Sequence, residues 1–347
     1  MSPLFGVIEG FYGRQWRWHQ RRELVDLLPN FNCNAYLYAP KGDAFLRRRW
    51  REHWPESDWH SLISVAHAAR RNGISFGVGL SVLDYSSDDK YLLAEKLDRL
   101  NELQLGHLGV FFDDMRGDDP GLLDRQLAAL AWIRQHSNAE TILFCPTYYS
   151  ADPILDDVFG ARPSDYWTKL ALNLPPAVQC FWTGSKVCSQ SLDPNDAVEA
   201  MRVFKRKPAF WDNYPVNDGR LTSRYLHLRP LQHRQLTATS YQSYFMNPMN
   251  QFELSLPVIA SAHLAVAGSK QAQQEAYRFA EQRWGRAFAD FWWANTDLVQ
   301  SQGLDGMSEQ QRQTMCQGLE TFDNAAAAEW LDWLRGGYAF DPACLTS

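Results

Sequence analysis

Gly109-Val110-Phe111-Phe112-Asp113-Asp114-Met115 is the stretch on which the fold turns. An apolar run leaves a Leu- and Gly-containing turn and ends on two adjacent carboxylates. Apolar runs of this length bounded by turn residues read as buried strands, which predicts a strand over 108–113. Strand alternation would aim Asp113 and Asp114 in different directions, so that both can face one ligand in different roles. The competing reading is plain: one Asp caps the following helix and the other sits in solvent. The rest of the chain decides between them.

Working outward, short apolar strands alternate with amphipathic segments across roughly the first 250 residues, the pattern of βα repeats around a parallel sheet. The strands are expected at 5–9, 35–39, 74–80, 108–113, 141–145, 178–182, 209–211 and 241–246. Helices are expected between them at 17–28, 59–72, 88–105, 121–136 and 194–205, with 152–167 irregular. Asn72-Gly73 is a helix stop and Asp193-Pro194 a helix start. Eight strands in this alternation predict a (β/α)8 barrel. An open doubly wound sheet would want a Gly-rich phosphate loop after strand one, and Glu9-Gly10-Phe11-Tyr12-Gly13 lacks that spacing. Beyond about residue 255 Ala, Gln and Trp dominate and strand signals fade. The expected organisation is a catalytic barrel over 1–255 and a helical region over 256–347. Within the latter, 256–268 reads as a helix closing the barrel and 325–334 as strongly helical, and the final residues are expected to fray.

Composition narrows the function classes. The net charge is −6 and the pI about 5.9, which argues against a broad electrostatic grip on nucleic acid. The basic run Arg47-Arg48-Arg49-Trp50-Arg51 is the exception and reads as a solvated helix face. Nineteen Phe, 14 Tyr and 14 Trp suit a large core, and equally a cleft whose flat rings stack on pyranose faces. Six cysteines form no CxxC pair and no zinc spacing, and several sit inside apolar runs as small buried hydrophobes do, which points to a reducing compartment. A strand begins almost at Met1 and no stretch nears the ~20 apolar residues of a membrane span. A cytoplasmic protein needing no cofactor and no metal is expected, without nucleic-acid or membrane partners.

Chemistry in a barrel of this kind sits at the C-terminal strand ends. Those ends carry Glu9-Gly10-Phe11-Tyr12-Gly13, Tyr38-Ala39-Pro40-Lys41, Asp113-Asp114, Cys145-Pro146-Thr147-Tyr148-Tyr149, Trp182-Thr183-Gly184 and Trp211-Asp212-Asn213-Tyr214-Pro215-Val216-Asn217-Asp218. Taken singly, Lys41 reads as a loop lysine, Tyr149 and Trp211 as core aromatics, Cys145 as a buried thiol, and Asn213 and Asp218 as turn residues. Polar groups and aromatic walls converging from six strand ends reverse that reading.

On these strings, in this order over residues 5 to about 260, the sequence resembles glycoside hydrolase family 84, the β-N-acetylglucosaminidases that include O-GlcNAcase. The resemblance implies a (β/α)8 catalytic domain followed by helices, and an exo-acting retaining enzyme that removes terminal β-linked GlcNAc. The two readings agree on mechanism. Adjacent Asp side chains cannot flank a sugar ring as an acid and nucleophile pair must, whereas an N-acetyl sugar can attack its own anomeric carbon through the acetamido oxygen. By resemblance Asp113 orients the acetamido N–H, Asp114 is the general acid/base and Tyr149 donates to the forming oxazoline. The Gly10 carbonyl and Lys41 would bind sugar hydroxyls. Cys145, Thr183 and Trp211 would wall the methyl pocket, Asn213 would anchor a hydroxyl, and Asp218 with Asn247 would grip the far ones. Three positions depart from the family pattern: Gly42 stands where an acid is usual, with Asp43 one place on; Ser81-Val82-Leu83-Asp84-Tyr85 lacks a Pro-Gly; and Tyr148 replaces an acid. These bear on the leaving-group side. The same chemistry on hyaluronan, chitin or cell-wall fragments is one alternative, and a non-catalytic N-acetyl-sugar-binding protein another. The expected partner is a GlcNAc-bearing glycoconjugate, and the helical region is a candidate homodimer surface.

Overall fold

The computed structural model describes residues 3–344. Its strands are β1 (Leu4–Glu9), β2 (Ala35–Tyr38), β3 (Ser75–Leu80), β4 (His107–Phe111), β5 (Thr141–Cys145), β6 (Val178–Trp182), β7 (Ala209–Asp212) and β8 (Ser243–Met246). They pair in sequence order, all parallel, and β8 closes back on β1 beside Gly6 and Val7. The helices α1 (Trp18–Leu27), α2 (Glu56–Arg71), α3 (Lys90–Asn101), α4 (Leu122–His136), α5 (Ile154–Phe159), α6 (Tyr166–Asn173), α7 (Pro194–Phe204) and α8 (Phe252–Val266) fall between and after them. This is the expected (β/α)8 barrel. Most strand residues are buried, because one face fills the lumen and the other meets helices.

The lumen is layered. Phe111, Phe181 and Phe245 come from the even strands β4, β6 and β8, and Phe181 lies 6.0 Å from each of the other two rings. Alternate strands filling one layer is how such barrels pack. Trp211 lies 5.3 Å from both Phe111 and Phe181. Gly109 makes room for this layer, since a Cβ there would meet the Phe111 ring at 2.5 Å.

Two buried ion pairs brace the strand ends. Glu9 takes Arg21 of α1 at 2.7 Å and accepts the Tyr36 hydroxyl of β2 at 2.6 Å. Asp212 takes Arg234 at 2.7 Å and accepts the Tyr244 hydroxyl of β8. Removing one partner of such a pair leaves an uncompensated buried charge. Glu9→Ala should therefore lower unfolding free energy by about 3–5 kcal/mol in denaturant titrations; a loss within the ~1 kcal/mol of an exposed pair would contradict this.

Beyond α8 run α9 (Ala272–Trp284), α10 (Arg286–Ser301), α11 (Gly303–Gly306), α12 (Glu309–Leu319) and α13 (Ala325–Leu334). They share a second core in which Trp292, Trp330 and Trp333 meet Leu226, Leu228, Met249 and Leu254. Among the described residues no helix is long and apolar enough to cross a membrane.

Several local expectations need correction. Strand β4 stops at Phe111, although the Phe112 amide still donates to the Cys145 carbonyl. Residues 152–167, expected to be irregular, contain α5 and enter α6; these helices span six and eight residues, too short for a 3.6-residue period to show. Helix α8 begins at Phe252, four residues before the expected start, with Pro257 inside it. Its burial on nearly every side outweighs the ~3 kcal/mol that an interior proline costs. The basic run is no helix: a 3₁₀ turn over Ala44–Leu46 leads into irregular turns that expose Arg48 and Arg49 and bury Arg47 and Trp50. The expected fraying falls partly on residues 345–347, outside the described residues.

Candidate active site

One cavity at the C-terminal ends of the strands is lined by all eleven residues singled out from the sequence: Gly10, Lys41, Asp113, Asp114, Cys145, Tyr149, Thr183, Trp211, Asn213, Asp218 and Asn247. Strand ends and the loops after them deliver each one, so residues up to 237 positions apart meet. Gly10 is required by packing, since a Cβ there would lie 2.4 Å from the Trp211 ring.

The two acids do not reach the cavity by strand alternation. β4 has already ended, and Asp114 takes a left-handed backbone with φ 55°. Asp and Asn adopt that region more readily than most residues because their short polar side chains can bond locally. Asp113 forms an ion pair with the Lys41 ammonium, which also lies 3.8 Å from Asp114 Oδ2. Both carboxylates thus converge on one ammonium. Asp113 Oδ1 is buried and makes no hydrogen bond among the described residues. Asp114 Oδ2 accepts the Tyr12 hydroxyl at 2.5 Å. Burial, and then the charge of Asp113, hold the Asp114 carboxyl above its usual range, against the opposing pull of Lys41 and Arg47.

The walls are chemically divided. Cys145 is buried, and desolvation followed by the nearby Asp113 charge pushes its thiol well up, leaving a neutral, small apolar group. Thr183 spends its hydroxyl on the Lys186 carbonyl at 2.8 Å, so its methyl is what remains for the cavity. On the other side the Asn247 carboxamide accepts from the Gly10 amide at 3.1 Å and donates to Asn213 Oδ1 at 3.0 Å. Asn213 in turn donates to the Val187 carbonyl at 2.9 Å. This chain ties the ends of β1, β7 and β8 together. Asp218 Oδ2 accepts the Tyr12 amide at 2.7 Å, and burial pushes its carboxyl up to about 6.

Tyr12, Val187, Cys188, Val216, Thr222 and Cys344 also line the cavity and were not expected there. Tyr12 and Val216 had a signal, since they stand in the strand-one and strand-seven strings; the others come from loops whose sequence carries none. Of the fourteen Trp residues, Trp211 lines the cavity, while many of the rest build the two cores. Among the described residues no group of three or more His, Cys, Asp or Glu is arranged to hold a metal ion.

The three departures from the family pattern fall differently. Asp43 is tied to the Tyr38 hydroxyl and the Trp54 indole, both at 2.8 Å, and Tyr148 to the Gly160 carbonyl at 2.6 Å; neither lines the cavity. Val82, Leu83, Asp84 and Tyr85 instead line a neighbouring groove of about 670 Å³, which shares Asp114 with the cavity. Asp114 therefore stands at the boundary of both spaces.

A family model for β-N-acetylglucosaminidases matches residues 5–292. The protein O-GlcNAcases of Mus musculus and Rattus norvegicus are each 31% identical over 270 residues, 74% of this chain. The chain's match spans 29% of the length of those relatives. Among solved structures, an O-GlcNAc hydrolase mutant from Thermobaculum terrenum superposes with a TM-score of 0.78 at 27% identity, over 96% of this chain and 80% of that one. CpGH84B, 21% identical with a TM-score of 0.75 over 96% of this chain and 67% of its own, speaks for the fold.

Proposed function

Because the chain belongs to the β-N-acetylglucosaminidase family, we propose that it is a retaining exo-β-N-acetylglucosaminidase, working on terminal β-linked GlcNAc through an oxazoline formed by the substrate's own acetamide. The observation that carries the mechanism is Asp113 Oδ1, a buried carboxylate oxygen with no hydrogen bond among the described residues. A buried acceptor left unpaired is costly, and an acetamido N–H is a donor of the right kind to pair it. Pairing turns the acetamido oxygen towards the anomeric carbon, and the carboxylate then offsets positive charge on the forming oxazoline.

A double-displacement enzyme needs its two carboxyl groups to flank the ring from opposite faces. Asp113 and Asp114 instead converge on Lys41. That arrangement supports substrate assistance. Asp114, its carboxyl raised by burial and by Asp113, protonates the glycosidic oxygen and then takes a proton from the attacking water. Lys41, given a hydroxyl-binding role by the family resemblance, is spent at least partly on Asp113. The neutral thiol of Cys145, the Thr183 methyl and the Trp211 ring suit the acetamide methyl, and Asp218 suits sugar hydroxyls. The cavity holds about 50 Å³ of open space, room for about three or four waters.

A GlcNAc-thiazoline, which mimics the bicyclic oxazoline, should inhibit competitively and bind on the order of 10²-fold or more tighter than GlcNAc. Calorimetric or kinetic indifference to it, with β-GlcNAc still cleaved, would reject substrate assistance.

A further inference from the structure

Arg47 belongs to the basic run that read as a solvated surface, yet its side chain is 9% exposed. Among the described residues it forms no ion pair, and its Nε has no hydrogen bond. What it does have is Tyr12: Arg47 Nη1 donates to the Tyr12 hydroxyl oxygen at 3.0 Å, with the guanidinium carbon 5.1 Å from the ring centroid. A buried cation without a carboxylate is costly and calls for a reason.

The reason lies one bond further on. A guanidinium only donates, so the Tyr12 oxygen receives from Arg47, and the single Tyr12 proton is free to go to Asp114 Oδ2. Oδ2 must then accept, which leaves Oδ1 as the oxygen that carries the catalytic proton. Without Arg47 the Tyr12 hydroxyl could turn and accept from a proton on Asp114 Oδ2. That proton would sit on the oxygen engaged with Tyr12 and be withheld from the leaving group.

We propose that Arg47 is a positioning residue for the acid/base: acting through Tyr12, it fixes which Asp114 oxygen holds the proton and restrains how tightly it is held. The inference rests on the acid/base role of Asp114 proposed above. The charge balance around Asp114 agrees in sign. Asp113 on the same loop opposes ionisation, Lys41 and Arg47 from the loop after β2 favour it, and Tyr12 from the loop after β1 favours it by donating. Asp218 beyond Tyr12 and the neutral Cys145 thiol complete the cavity side. On the groove side Arg116 and Arg125 are taken up by Asp118 and Asp119.

The test is the pH profile of aryl β-GlcNAc hydrolysis by the full chain, with Arg47→Gln, Tyr12→Phe and the double variant. Arg47→Gln removes a charge that favours the carboxylate. The acid form should persist to higher pH, moving the basic limb of kcat/KM up by about half to one pH unit. At the same time kcat should fall at least several-fold, because the proton is misplaced and the water-activating carboxylate is scarcer. With Tyr12→Phe already in place, Arg47→Gln should cost little further kcat, since the relay is gone; contacting residues of one network are non-additive in this way. Limbs that stay put, or losses that multiply in the double variant as independent structural damage would, overturn the inference. Should Arg47→Gln fail to fold, Tyr12→Phe with Arg47 intact decides: the basic limb must again move up, and a fixed limb overturns the relay. Failure of the unaltered enzyme to cleave aryl β-GlcNAc or to bind the thiazoline would instead sink the functional reading.

Discussion

Asp114→Asn should lower kcat/KM for alkyl- and peptide-linked β-GlcNAc by on the order of 10²–10⁴-fold, the usual worth of a positioned general acid. For an activated nitrophenyl β-GlcNAc the same variant should keep most of its kcat/KM, because that leaving group departs without a proton. Its kcat should still fall, since an asparagine cannot deprotonate the water that opens the oxazoline. Azide, which needs no base, should then restore kcat and yield the β-azide. The discriminating measurement is the slope of log kcat/KM against leaving-group pKa, steep in the variant and shallow in the parent. Equal losses on good and poor leaving groups would remove Asp114 from the acid role. The expectation rests on its place between the cavity and the adjoining groove, and on a carboxyl raised by burial and by Asp113.

Asp113→Asn has the second large effect, and its pattern should differ. An amide keeps the shape but cannot offset the positive charge of the oxazoline, so kcat/KM should fall by roughly 10²–10³-fold, as when one preorganised stabilising group is removed. The loss should be nearly the same for good and poor leaving groups, because ring closure by the acetamide precedes neither more nor less in either case. Lys41 loses the nearer of its two ion-pair partners in this variant, so an unfolding titration must accompany the kinetics. Thiazoline affinity should drop with kcat/KM. Unchanged thiazoline binding, or cleavage of plain β-glucosides by the parent, would contradict the assignment.

Much was legible before folding was considered. Buried parallel strands need long-range partners but short local patterns, so their alternation with amphipathic helices survives in the one-dimensional string, and with it the barrel. The site residues were legible for a related reason. Barrel chemistry gathers at strand C-termini, so polar residues directly after apolar runs mark candidates, and the family resemblance singled out the rest, Asn247 among them; all of them line one cavity.

What the string could not carry is geometry set by neighbours distant in sequence. The Asp113-Asp114 step looked like the tip of a strand, whereas the strand ends two residues earlier and Asp114 turns by a left-handed φ. The ion pair between the Lys41 ammonium and Asp113 likewise joins residues 72 positions apart and left no mark in the sequence. Arg47 looked solvated because its neighbours Arg48 and Arg49 are; only the approach of β1's loop, 35 residues away, gives it Tyr12 and buries it. From the sequence alone come the barrel and the pair of acids, because periodicity and residue type are local properties, and the candidate site residues, because the short strings that carry the family resemblance are local too. The hydrogen bonds that join Arg47, Tyr12 and Asp114 were decided by tertiary structure, because hydrogen-bond direction and desolvation depend on which loops meet, and no local pattern encodes that meeting.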